Sequence, residues 1–360
     1  MQNIFFVIIV SFLCISCSKN DDSYFPLSSG LKWHYSVSLT TRDGLENQKY
    51  ILLNAGSKEI DGELVYRRES LDGTNLFYKI TDEGIYYLYG TKGDNTIKGS
   101  GFLVYTSKDL KHWEGPVGSS DGFALKKGDA YGNKGFWAPQ IFKHKAKYYM
   151  AYTANENIAI ATSDSPLGPF VNDNKALEAP VRQIDPYVFF DEDKVYLYHV
   201  RLQEGNRIFV AEMNADLKSI KPETLRECIN AEETWENTAN ADWPVAEGPT
   251  VFKKDALYYL LYSANDYRNP DYAVGYAISR TPLGPWEKMK TNPLISKLDS
   301  NAGTGHGDLF YDKRGRMKYV LHTHLSNEEV GPRKTAILEL SLKNQKLSVK
   351  NNSFYFVEKQ

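Results

Sequence analysis

Cysteine, methionine and net charge are all scarce in this chain, and each scarcity narrows what it can be. Three cysteines in 360 residues cannot build a disulfide framework, and they argue against a cysteine-rich zinc site. A formal net charge of -2 and a pI near 6.4 give no electrostatic basis for a nucleic-acid partner. Residues 4–15 are nearly all apolar, yet too few to cross a bilayer comfortably as a helix. Stretches with the helical period are almost absent. What is plentiful is aromatic: 13% of the residues, with 25 tyrosines and 6 tryptophans. Such rings pack well on a pleated surface, so a β-rich core is the first reading and a sugar-binding cleft the second.

The apolar run at 4–15 has the length of a signal-peptide core. It ends Leu13-Cys14-Ile15-Ser16-Cys17, which resembles a bacterial lipobox. The resemblance implies cleavage before Cys17 and acylation of its thiol. Residues 1–16 are then a lipoprotein signal peptide and 17–23 a polar tether, similar to the acidic leaders of surface lipoproteins. Cys14 leaves with the signal, so no intramolecular disulfide is expected between the remaining Cys17 and Cys228. The expected location is the bacterial cell envelope. A lipid anchor in the outer membrane would be the only membrane contact of a surface-exposed protein.

From 24 to 76 short alternating runs, such as Glu63-Leu64-Val65-Tyr66, are separated by the turn dipeptides Asp61-Gly62 and Asp72-Gly73. They predict a small β-meander. Beyond Gly84 internal repeats appear. Trp137-Ala138-Pro139, Ile184-Asp185-Pro186 and Glu247-Gly248-Pro249 each open an apolar run, and an aromatic follows ten residues after each proline: Tyr149, Tyr196 and Tyr259. A fourth copy starts at His306-Gly307-Asp308, and Ile85-Tyr86-Tyr87-Leu88-Tyr89-Gly90-Thr91 supplies a fifth blade core. A second phrase also recurs, as Ser165-Pro166-Leu167-Gly168-Pro169 and Thr281-Pro282-Leu283-Gly284-Pro285. Units of three to four short strands, roughly 47 to 63 residues apart, describe the blades of a β-propeller. The predicted fold is therefore all-β: a five-bladed β-propeller over 77–345, with 346–360 as a tail or last strand. Residues 223–246, a long polar insert before Glu247, are the expected specificity loop.

A propeller brings the first strand of every blade to a central axis. The residues opening those strands are Trp137, Asp185, Glu247 and His306, which are expected at equivalent positions around one pocket. Each has an ordinary reading alone: Glu247 as a solvated turn residue, Asp185 as a strand-start residue, Trp137 as inter-blade packing, His306 as a pore histidine. In register across blades they read together as a site.

The motifs WAP, IDP, EGP and GHG, over roughly two thirds of the chain, resemble glycoside hydrolase family 43. These are five-bladed propellers that cut arabinose-, xylose- and sometimes galactose-containing glycans, among them arabinofuranosidases and xylosidases. The resemblance implies an oligo- or polysaccharide partner and an inverting acid–base mechanism. It makes Glu247 the general acid and Asp185 the residue that raises and orients it. It makes His306 an axial residue beside a metal such as Ca2+ or a water cluster, with no cofactor required. Trp137 would stack on a sugar face, and Arg333 would contact sugar hydroxyls. The physical logic agrees, since a proton donor at neutral pH benefits from a neighbouring carboxylate that disfavours its ionisation.

One part is missing. The family's general base is an Asp opening the first blade. Counting back from Tyr87 puts that position at Leu76, where no carboxylate stands. Of the nearest acids, Asp82 and Glu83 read as hairpin-turn residues, which leaves Asp72 as the candidate base. The alternative to a hydrolase is a non-catalytic glycan-binding lipoprotein that keeps the pocket.

Overall fold

The computed structural model describes residues 84–91 and 100–359. Before them it describes the backbone alone of the strands Val7–Ile9, Lys32–Thr41, Gly44–Ile60, Glu63–Ser70 and Asn75–Ile80. The tether, Cys17 and Asp72 lie outside the described residues, as does most of the expected signal. Two compact units divide the chain, Met1–Ile85 and Tyr86–Gln360, so the expected propeller start at 77 falls within the first. In that first unit the strands form one sheet in chain order, and Asn75–Ile80 pairs with Glu63–Ser70.

The second unit holds five antiparallel blades, numbered here in chain order. Blade 1 contains Tyr86–Tyr89, Gly101–Ser107 and Phe123–Lys126, and blade 2 contains Trp137–His144, Lys147–Ala154 and Asn157–Ser163. Blade 3 contains Gln183–Asp191, Lys194–Leu202, Asn206–Glu212 and Arg226–Ile229. Blade 4 contains Ala246–Lys254, Leu257–Ala264, Ala273–Ser279 and Glu287–Lys288. Blade 5 runs from Gly305–Tyr311 through Met317–Thr323 and Lys334–Lys343 to Lys346–Val349, with Tyr355–Phe356 also on Lys334–Lys343. Among the described residues helical turns are limited to three short 3-10 segments, and no helix there is long and apolar enough to cross a membrane.

Burial explains the texture of the sequence. The second strand of blade 4, Leu257–Ala264, is buried at every position, because neighbouring blades cover both of its faces. It therefore reads as a continuous apolar run rather than an alternation. One hydrophobic cluster fills each gap between blades. Tyr198 and Val210 meet Leu260 and Tyr262 between blades 3 and 4, and Tyr86 and Trp113 meet Ile337 between blades 5 and 1. Each such side chain contributes about 1.5–3 kcal/mol on burial.

The second recurring phrase has a joint to make. The Pro282 carbonyl accepts the Tyr198 hydroxyl of the preceding blade at 2.5 Å, and the Pro166 carbonyl accepts the Tyr89 hydroxyl. The ring closes through the end of the chain, where Glu358–Lys359 pairs in parallel with His112–Trp113.

One expectation needs adjustment. The stretch 223–246 is not a free insert. It supplies the fourth strand of blade 3, and it buries Glu236 completely against the Tyr262 hydroxyl and Lys288. Blade 1 has no inner strand among the described residues, since Tyr86–Tyr89 aligns with the second strands of the other blades.

Candidate active site

Every described inner strand opens with the same bulge. Its ladder with the second strand breaks between Trp137 and Gln140, Ile184 and Tyr187, Glu247 and Thr250, and Gly305 and Asp308. The second residue of each bulge is left-handed: Ala138 at φ 45°, Asp185 at 54°, Gly248 at 60° and His306 at 44°. In three copies proline comes next, where the broken ladder needs no donor. Trp137 and Glu247 thus occupy the first bulge position, whereas Asp185 and His306 occupy the second. The expectation that all four are equivalent is off by one. In blades 2 to 4 both bulge residues line one cavity, so reactive groups from both positions meet.

The second bulge residue also carries an N–H directed at the preceding blade. Thr91 Oγ1 accepts from Ala138 at 3.0 Å, Thr153 Oγ1 from Asp185 at 2.9 Å, and Ser263 Oγ from His306 at 2.8 Å. In blade 3 the residue in this place is Val200, the ladder partner of Ile184, which has no hydroxyl. There the Gly248 N–H goes to Asp185 Oδ2 at 3.2 Å. Glycine at 248 answers a close approach. It takes φ 60°, and a Cβ would sit 3.0 Å from the His306 ring.

Glu247 is 8% exposed, and both of its oxygens are engaged. The Tyr272 hydroxyl donates to Oε1 at 2.8 Å, and the Asn206 amide donates to Oε2 at 3.0 Å. These donors favour the ionised form. Burial, and then the charge of Asp185, oppose them and win, and its pKa rises to about 7. Burial likewise raises Asp185 to about 7, against the Gly248 N–H and the Arg333 charge. His306 Nδ1 lies 3.8 Å from Asp185 Oδ2, while burial pulls the imidazole below its ordinary range. A buried carboxyl that keeps its proton near neutrality is a proton donor.

All of the expected site residues inside the described region line one cavity of about 1380 Å³: Glu247, Asp185, Trp137, His306 and Arg333. Arg333 donates to His322 Nε2 at 2.8 Å and stands 4.9 Å over the Tyr267 ring. His322 stacks on Tyr272 with centroids 5.5 Å apart, which links Arg333 to the Glu247 hydroxyl donor. Asn206 and Tyr272 carry no repeat phrase, so nothing in the sequence marks them. Asp308 also lines the cavity, and burial raises its pKa to about 6. It stands in the GHGD phrase, two residues after the histidine that drew the eye. Among the described residues no three His, Cys, Asp or Glu side chains converge on a metal-sized site.

Comparison with known proteins bears on the fold and the family. The family described as glycosyl hydrolases family 43 matches residues 70–346. A solved endo-1,4-beta-xylanase from Bacteroides thetaiotaomicron VPI-5482 is 41% identical, with a TM-score of 0.71 over 78% of this chain and 94% of that one. A thermostable family-43 glycoside hydrolase is 34% identical, with a TM-score of 0.67 over 76% of this chain and 91% of that one. A xylosidase/arabinosidase of Butyrivibrio fibrisolvens is 26% identical over 232 residues, 61% of this chain and 44% of that protein. The chain spans about half the length of the curated relatives it matches.

Proposed function

The chain belongs to glycosyl hydrolases family 43, and from that premise we propose that it hydrolyses arabinose- and xylose-containing glycans with inversion, such as hemicellulose or pectin side chains. In this reading Glu247 protonates the leaving oxygen. Asp185 keeps that proton on Glu247 at neutral pH and orients the group. Trp137, His306 and Arg333 receive the sugar. One observation carries the reading: a buried Glu247, held at a pKa of about 7, with a donor on each oxygen.

An inverting reaction also needs an ionised base about 6.5–9.5 Å from the acid, to activate water across the ring. The blade register puts it at Leu76, and the candidate replacement, Asp72, lies outside the described residues. That gap favours a second reading, a non-catalytic glycan-binding lipoprotein. Neither reading requires a cofactor. Anchoring to the cell envelope through Cys17 belongs to the same proposal, and incorporation of labelled fatty acid, lost in Cys17→Ala, tests it.

The deciding assay compares release of arabinose or xylose from oligosaccharides by the native protein and by Glu247→Gln. The hydrolase reading expects a loss of about 10²-fold or more in the variant. Equal background release from both leaves the binding reading standing.

A further inference from the structure

We propose that Trp243 and the groove behind it form a sugar subsite on the leaving-group side of the cavity, and that Asn206 couples this subsite to Glu247. The proposal rests on the glycosidase reading and deepens it. The substrate becomes one whose leaving group is itself a sugar residue of an oligo- or polysaccharide.

Among the described residues four large apolar side chains are exposed, and two of them, Trp243 and Tyr267, line the cavity. Rings exposed at a cavity mouth present a flat apolar face, which suits the C–H face of a sugar. Trp243 is 49% exposed, yet it is anchored: its indole N–H donates to Asn206 Oδ1 at 2.9 Å. The same amide donates from Nδ2 to Glu247 Oε2 at 3.0 Å. The indole has only a donor to offer, so it fixes which end of the Asn206 amide faces the carboxyl. The backbone holds the arrangement in place, since the Asn206 N–H donates to the Pro244 carbonyl at 2.9 Å and Asn206 pairs with Val245.

The two oxygens of Glu247 therefore face different surroundings. Oε1 meets Tyr272, which is fully buried, whereas Oε2 meets the amide that leads to the rim. A second groove of about 720 Å³ shares Trp243, Asp266 and Arg268 with the main cavity, and Ala239, Ala241 and Pro270 leave room beside the ring. Arg268 is held flat by a two-point pair with Asp266, at 2.7 Å for each bond. Its guanidinium is thereby positioned at the edge of this groove, where hydroxyls of a second sugar would lie. A general acid protonates the oxygen between the cleaved sugar and the leaving group, so a groove joined to the cavity that Glu247 lines is where the leaving chain would run.

The test uses the full chain with xylotetraose and arabinotetraose as separate probes, beside the corresponding disaccharides. Binding is read by tryptophan fluorescence and calorimetry in the Glu247→Gln protein, where turnover does not interfere. Adding Trp243→Ala is expected to weaken tetrasaccharide binding at least tenfold, with a smaller effect on the disaccharide. Trp243→Phe keeps the ring face and is expected to recover most of it. In the catalytic protein Trp243→Ala is expected to raise KM for the tetrasaccharide more than it lowers kcat. It should also shift the alkaline limb of the pH profile, since Asn206 loses its indole partner. Equal tetrasaccharide binding with and without Trp243 overturns the subsite, as does absence of binding of either sugar. If the native protein binds but hydrolyses neither sugar, the glycosidase reading fails while the Trp243 comparison still decides the subsite.

Discussion

The junctions between blades 2 and 3 and between blades 3 and 4 differ in one hydrogen-bond acceptor. At the first, the Thr153 hydroxyl accepts the Asp185 N–H. At the second, Val200 stands in the corresponding place, and the carboxylate of Asp185 accepts the Gly248 N–H. A hydroxyl would satisfy that donor with no charge to bury. The carboxylate that takes this place also stands close enough to Glu247 to raise it. Joining blades 3 and 4 and setting the protonation of Glu247 thus pass through one side chain.

Asp185→Ala tests this double duty most severely. It leaves the Gly248 N–H without its acceptor and removes the like charge beside Glu247. The Glu247 pKa is then expected to fall, so the alkaline limb of the rate profile moves to lower pH and kcat drops by about 10²-fold. Asp185→Asn keeps an acceptor for Gly248 while discarding the charge. The same shift of the limb, with a urea midpoint near that of the native protein, would separate the two roles; an unmoved limb would break the comparison.

Gly248→Ala acts on the backbone side of the same contact. A Cβ at φ 60° and 3.0 Å from His306 is expected to cost about 1–3 kcal/mol, read from urea unfolding. Val200→Thr is the mildest change. It supplies the hydroxyl that the other junctions use, and stability is expected to change by no more than about 1 kcal/mol. If the new hydroxyl captures the Gly248 N–H, Asp185 loses a donor to its ionised form and its pKa rises further. Carboxyl NMR shifts followed against pH would show it.

Most of the architecture was legible because the repeats state it. The spacing from proline to tyrosine is the hairpin of the two inner strands, and the phrase around Pro166 and Pro282 is a tyrosine acceptor. The site was legible only where a reactive residue sits in a bulge. Even there, reading chemistry in place of the proline register put Glu247 and Asp185 in one ring, when they are neighbours in two. Asn206, Tyr272 and Trp243 come from a third strand and from loops, whose sequences have no reason to repeat. The gap at Leu76 was visible for the opposite reason, since a regular pattern makes an omission conspicuous.

Two buried carboxyls with raised proton affinity also make folding a protonation event. In the unfolded chain both would release their protons near pH 4, whereas in the folded protein they hold them to about pH 7. Across that window the native state binds more protons than the unfolded state, so stability is greatest on the acid side and declines as pH rises. Raised proton affinity at Glu247 and Asp185 and stability at neutral pH are therefore traded against each other in the same two side chains.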